Sequence, residues 1–269
     1  MKVAPKLIFL LRDPEGLVTA IADALHSNPS SSYRRLEESF ELSLEQRYGI
    51  KEQKARGQLV HFIDDKGNYQ SFSFTALSVT YAVDVAYVGS YQHDKISVSV
   101  LLLQNYEPPA LVCAISEVLA QLNCETSTLP LLLAPFVVES SKLKGQEKSL
   151  AASESKVSLY GLQIGLETDI TQAMAARTQK APSSLQIHCE PLACFLQLVR
   201  ILKSPTFILI GQRTTSHSNK TSGGELQILH EMGDLLASNT GLSFRREKII
   251  WNPAQESKDA QEPWRALYG

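Results

Sequence analysis

The sequence predicts an α/β fold with a largely parallel central sheet and an antiparallel hairpin region, and three observations carry that prediction. Two nearly continuous apolar runs, "KISVSVLLLQ" and "LPLLLAPFVV", flank an amphipathic helix, "LVCAISEVLAQL". Strands without polar alternation are those covered on both faces, and strand–helix–strand is the unit of a parallel sheet. A third such run, "TFILIG", follows the helix "LACFLQLVRILK", which is apolar almost all round. Earlier in the chain the texture differs. "FSFTAL" and "YAVDVAYV" alternate as strands with one wet face do, and "DDKGN" before them is a hairpin signal centred on Gly67-Asn68.

The elements follow in order. "KLIFLL", then Asp13 and Gly16, then "LVTAIADAL" predicts strand, turn and helix, with Leu17, Ile21, Ala24 and Leu25 on one helical face. "SNPSSSYRR" is a loop, and the charged stretch "LEESFELSLEQRYGIKEQKARG" is expected to be helical over part of its length. "QLVHFID" is the next strand. "NYEPPA" breaks the central strand before the helix striped by Leu111, Ile115, Val118 and Leu122. The polar stretch at 139–157, devoid of aromatics, reads as a flexible surface insertion. "SLYGLQIG" resumes as a strand, "ITQAMAARTQ" is a short helix and "SLQIHCE" another strand. Pro191 opens the next helix. Ser222 and Glu225 have capping-box spacing for the last one, and Gly241 stands where a left-handed cap is wanted. The resulting map is one α/β domain over 1–250, interrupted near 139–157, and a flexible tail over 251–269.

Composition narrows the function classes. A hydrophobic content of 43% and a charged content of 20% are those of a globular protein. The formal net charge of −2 argues against a nucleic-acid binder, which needs a basic footprint; Arg245-Arg246 with Lys248 reads as a solvated cluster. The start, "MKVAPKLIFLLRD", has no small-residue cleavage site and reads as a buried strand. No apolar run approaches the roughly 20 residues of a membrane span. Cys113, Cys124, Cys189 and Cys194 form no CxxC pair, which suits reduced thiols in a cytoplasmic protein.

Catalytic patterns are missing. No GxxxxGK[ST] cradles a phosphate, and "GLQIG" has two glycines where a dinucleotide fingerprint has three. No GxSxG elbow occurs, and none of the six histidines falls in HxH, HExxH or a zinc spacing. His188 beside Cys189 could be a base and a thiolate, but neighbours on a strand point to opposite faces. Asp64-Asp65 fits a turn or a metal ligand, and Asp84 a solvated strand face or a general base. No catalytic, cofactor-binding or metal-binding residue is assigned, and no cofactor is expected.

The chain finishes on Leu267-Tyr268-Gly269, apolar, then aromatic, then a free carboxylate. This ending matches the hydrophobic–tyrosine–any tail of proteins that dock on the α-ring of the proteasome core particle. The order "KISVSVLLLQ", helix, "LPLLLAPFVV", polar insertion, "LYGLQIG", then "EPLACFLQLVRILKSPTFILIG" resembles the proteasome assembly chaperone 1 family over about residues 95–269. The resemblance implies a Rossmann-like, phosphorylase-like sandwich without the phosphorylase active site. It implies a non-enzymatic chaperone of core-particle assembly, heterodimeric with a second proteasome assembly chaperone subunit and acting on proteasome α-subunits. Leu267, Tyr268 and Gly269 would be its proteasome-binding tail. Two rival expectations stay open: an α/β hydrolase or nucleoside-processing enzyme, and a catalytically inactive scaffold subunit of another complex.

Overall fold

A computed structural model describes residues 1, 3–29, 33–51, 53–64, 96–124, 129–144, 158–213 and 222–249. In chain order the elements are β1 (Lys6–Leu11), α1 (Leu17–Ala24), β2 (Leu25–Ser27), β3 (Tyr33–Ser43), α2 (Glu45–Tyr48) and β4 (Lys54–Asp64). Next come β5 (Ile96–Leu103), α3 (Ala110–Cys124), β6 (Leu131–Glu139), β7 (Leu143–Lys144), β8 (Ser158–Ile164) and α4 (Asp169–Ala175). The last are β9 (Gln179–Lys180), β10 (Gln186–Ile187), α5 (Glu190–Ile201), β11 (Thr206–Arg213), α6 (Ser222–Thr240) and β12 (Leu242–Phe244).

The main sheet runs β3-β4-β5-β1-β6-β11-β8-β9. Its centre, β5-β1-β6-β11, is parallel, while β3 and β4 on one side and β8 on the other run antiparallel to their neighbours. Period-two geometry sorts the central strands between two cores. Leu7, Phe9, Leu101, Leu103, Phe136, Ile208 and Ile210 meet α3 and α5, where Phe195 stacks 4.9 Å from Phe9 and 5.6 Å from Phe136. Ile8, Leu10, Val100, Leu133, Phe207 and Leu209 meet α1 and α6 on the other face. The fold is a three-layer α/β/α sandwich, as the apolar runs require. Among the described residues no helix is long and apolar enough to cross a membrane.

Several local expectations hold at the residue level. Leu17, Ile21 and Ala24 are the buried stripe of α1. Pro191 stands in the first turn of α5, and Gly241 ends α6 at φ 79°. The stretch from Leu36 is a correction. It is strand β3, paired residue for residue with β4 from Tyr33↔Asp64 to Ser43↔Lys54, and only Glu45–Tyr48 is helical. Leu36, Phe40 and Leu42 share one strand face, but Glu38 interrupts them there, and burial pushes its carboxyl up. The opposite face holds Glu41 between Lys54 and Arg56 of β4, a cross-strand ion cluster that resembles helical charge spacing in the bare sequence.

The antiparallel hairpin among the described residues is β3–β4; "DDKGN", with "FSFTAL", "YAVDVAYV" and Asp84, falls largely outside them. The insertion also begins later than its composition suggests. Leu143–Lys144 pair with Gln186–Ile187, and Leu143 is buried in the core. Pairing and one apolar anchor order those residues despite their polar neighbours; 145–157 lie outside the described residues.

Gly57 marks where the hairpin meets the centre. A Cβ there would stand 2.5 Å from the Leu102 carbonyl oxygen and 2.6 Å from the Phe40 ring. Backbone cannot yield as a side-chain tip can. Gly57→Ala is expected to destabilise the fold by about 1–3 kcal/mol in urea unfolding. Gly224→Ala, with nothing within 4 Å of the added atom, should be neutral or slightly stabilising.

Candidate functional site

In open α/β sheets ligands sit beyond the strand carboxyl ends, where the winding of the chain reverses. Here β5 lies on one side of β1, with β6 and β11 on the other. The chain leaves β1 toward the α1 face and leaves β6 toward the face that holds Leu143. The crevice between those two exits is the first candidate site. Around it stand Asp13 and Glu15 after β1, Glu139 and Ser140 at the end of β6, and Arg213 at the end of β11.

A helix N-terminus opening on such a crevice is a phosphate seat, because its first amides have no partner within the helix. In this chain they have one. The Asp13 carboxylate accepts from Leu17 N at 2.9 Å and from Val18 N at 2.7 Å. Gly16, at φ 73°, makes the tight turn that lets Asp13 fold back. The anion position is filled by the protein's own carboxylate.

Arg213 fills the rest. Its guanidinium makes a paired contact with Glu15, one arm of it 2.6 Å long, and reaches Glu139 at 3.0 Å and Glu225 of α6 at 3.6 Å. Ser140 Oγ donates to the Arg213 carbonyl at 2.6 Å, so β6 and β11 are tied at backbone and side chain alike. The Arg213 side chain is 13% exposed. Burial works against its charge, and the hydrogen bond and charge of Glu15, with Glu139 and Glu225, outweigh it and raise its pKa. Burial pushes the Glu225 carboxyl up in spite of Arg213. Among the described residues, one guanidinium thus gathers three carboxylates.

Beside it lies an open cleft of about 870 Å³, along α1 between the ends of β1 and β5, lined by Arg12, Thr19, Asp23, Gln104 and Lys248 among others. Its walls are polar and of mixed charge, whereas small-molecule sites are lined mainly by apolar and aromatic groups. Among the described residues no group of His, Cys, Asp and Glu is placed to hold a metal ion.

One arrangement with nucleophile chemistry does occur, and the sequence patterns missed it. His61 Nδ1 lies 2.9 Å from Ser99 Oγ, directly across the β4–β5 ladder. Ser99 Oγ also accepts from Ala4 N at 2.9 Å, which leaves it one proton and one lone pair to face His61. Both side chains are buried, and neither lines the cleft. Desolvation lowers the His61 pKa to about 4. The pair joins β4, β5 and the segment that leads into β1. The only trace of it in the sequence is one histidine and one serine, each in an apolar strand.

The residues singled out from sequence are scattered. His188 N donates to the Lys142 carbonyl, while Cys189 caps α5, and burial pushes its thiol up, opposite to a nucleophile's need. Asp64 ends β4 at the amino edge of the central strands, away from the crevice. Asp65 lies outside the described residues, as do Leu267, Tyr268 and Gly269.

Two outcomes follow from this geometry. Arg213→Met takes the guanidinium out from among three carboxylates and is expected to cost about 3 kcal/mol in urea unfolding at pH 7. His61 is neutral when folded and titrates at its ordinary 6.5 when unfolded, so its contribution is complete above pH 6.5 and is lost as pH falls toward 4. From pH 7.5 to 5 that loss is about 2 kcal/mol, and His61→Gln should remove it from the pH profile of unfolding.

Similarity to known proteins is of two kinds. No curated protein matches the sequence. Among solved structures, a protein of unknown function from Thermoplasma acidophilum has a TM-score of 0.51 at 8% identity, covering 99% of this chain and 89% of its own. PbaB, an archaeal proteasome activator from Pyrococcus furiosus, has a TM-score of 0.46 at 7% identity, covering 100% and 96%. A proteasome-assembly chaperone homologue from Mycobacterium tuberculosis has a TM-score of 0.39 at 10% identity, covering 97% and 99%. The first of these likenesses shows a shared fold; the other two carry no argument about function at those scores. Residues 1–81 and 83–269 match the family described as Domain of unknown function (DUF7894), and the chain belongs to that family.

Proposed function

We propose that this protein is a non-enzymatic chaperone for assembly of the proteasome core particle, which docks on the α-ring through Leu267, Tyr268 and Gly269. In this reading it works in the cytoplasm as a heterodimer with a second assembly chaperone subunit. The observation that carries the reading is the hydrophobic–tyrosine–any ending, placed after a body whose order of elements resembles assembly chaperone 1. The self-filled crevice supports it, because Asp13 and Arg213 occupy the place where a sandwich enzyme of this topology would hold its ligand.

The energetics of such a tail are modest. Burying Leu267 and Tyr268 contributes roughly 1.5–3 kcal/mol each, and a carboxylate meeting a lysine adds a charge-assisted contact. Ordering the tail and losing translational freedom offset much of this. A surviving 4–6 kcal/mol is about millimolar to high micromolar affinity. Tight capture then needs the folded body or a partner subunit to raise the effective concentration.

The test is binding of the full chain to isolated α-rings. Tyr268→Ala is expected to weaken it several-fold with the melting temperature unchanged. One residue added after Gly269 should do similar harm, since it moves the carboxylate by about 3.5 Å. Unchanged binding in both variants would sink the docking role, and a melting temperature several degrees lower in Tyr268→Ala would place the tail in the chain's own core.

A further inference from the structure

After α6 the chain turns back over the body as a strap, Leu242–Ile249, from which residues 250–269 continue. Its attachment is local. β12 pairs with β2 over Leu242↔Ser27, Ser243↔His26 and Phe244↔Leu25, and Arg245 N donates to the Ala24 carbonyl at 2.9 Å. Phe244 lies over Gly233 of α6, so close that a Cβ there would stand 2.1 Å from the ring. Arg246 pairs with Asp234 of the same helix.

Two histidines flank this strap. His26 sits in β2 opposite Ser243, and the His230 ring meets Phe244 edge-on, with centroids 6.4 Å apart. The Nε2 atom of each is buried and without a hydrogen-bond partner. In the tautomer with its proton on Nδ1, a proton added at Nε2 creates a buried N–H donor with nothing to receive it. The charged surroundings act in the same direction. Lys248 and Arg245 of the strap and Arg35 of β3 face His26, with Asp23 of α1 as the opposing charge. Arg246 of the strap faces His230, opposed by Asp234 and by a hydrogen bond with the Arg246 backbone. Burial is the largest cause for both histidines, and both pKa values lie below the ordinary one.

We propose that Leu242–Ile249 is a pH-released clasp: it is closed on α1, β2 and α6 while His26 and His230 are neutral, and it opens when they gain protons. The strap brings three cations, Arg245, Arg246 and Lys248, against two groups that become cations themselves. Among the described residues, Asp23 opposes the build-up at His26 and Asp234 at His230, while Glu231 acts on Arg246 and the strap carries one acid of its own, Glu247. The strap is held by three paired residues, the Arg245 N bond, Ser243 Oγ donating to the Ser27 carbonyl, the Arg246–Asp234 pair, the Phe244 ring and the buried side chains of Leu242 and Ile249, still less than holds the central sheet. Local opening draws on such lightly held segments before the core responds. This device depends on the strap's own contacts and is independent of what residues 250–269 bind.

The experiment is hydrogen exchange of the full chain at pH 7.5 and 5.5, with rates corrected for the intrinsic pH dependence. Protection of the Arg245 amide is expected to fall at least about tenfold at pH 5.5, while that of the β11 amides falls by less. In the double variant His26→Gln, His230→Gln the additional loss at Arg245 should vanish. Equal strap protection at both pH values, parallel loss in strap and β11, or the same strap loss in the double variant would each overturn the proposal. Should the double variant not fold, imidazole titration of the wild type by NMR decides: both histidines at or above 6.5 would refute the clasp.

Discussion

Every residue of β1 from Leu7 to Leu11 is buried, on alternating sides, and the architecture depends on that constraint. A strand with no wet face needs hydrogen-bonded neighbours on both edges and apolar cover above and below. β5 and β6 supply the edges, in parallel register. α3 and α5 cover Leu7, Phe9 and Leu11, while α1 and α6 cover Ile8 and Leu10. Once both faces are closed, polar groups can converge only at the two ends of the strands. Of these, the carboxyl end receives the N-termini of α1, α3 and α6.

What has collected at that end is a set of charged groups bound to one another. Asp13 caps α1, and Arg213 draws Glu15, Glu139 and Glu225 together from three separate segments. The contacts close the crevice by charge rather than by bulk, and a ligand would have to displace at least one of them. In the proposed reading, a body whose crevice is held by its own side chains presents its surface and its C-terminal segment to partners. This is the common ground between the assembly-chaperone reading and the clasp at the root of the C-terminal segment.

Legibility varied with the range of the interaction concerned. Pro191 in the first turn of α5, Gly241 at the end of α6 and the buried stripe of α1 depend on a few adjacent residues, so local pattern suffices. β3 was hidden because Glu38 breaks its apolar face and the Glu41–Lys54–Arg56 cluster exists only once β4 lies alongside. The site was less legible still. Glu15 and Arg213 are 198 positions apart, and neither belongs to a motif. His61 and Ser99 meet because their strands are paired at that register, and the register is set by turns and neighbours beyond either strand.

By itself, then, the sequence determined the class of fold and the burial of its central strands. Runs such as "LPLLLAPFVV" can be accommodated only inside a doubly covered sheet, and hydrophobic burial is summed over many residues that tolerate small errors of placement. The tertiary structure alone decided the antiparallel β8, the β3–β4 hairpin and the charge network at the switch point. Those depend on direction and distance between segments remote in the chain. A hydrogen bond or ion pair survives only within a few tenths of an ångström of its geometry, and no pattern of neighbouring residues encodes that.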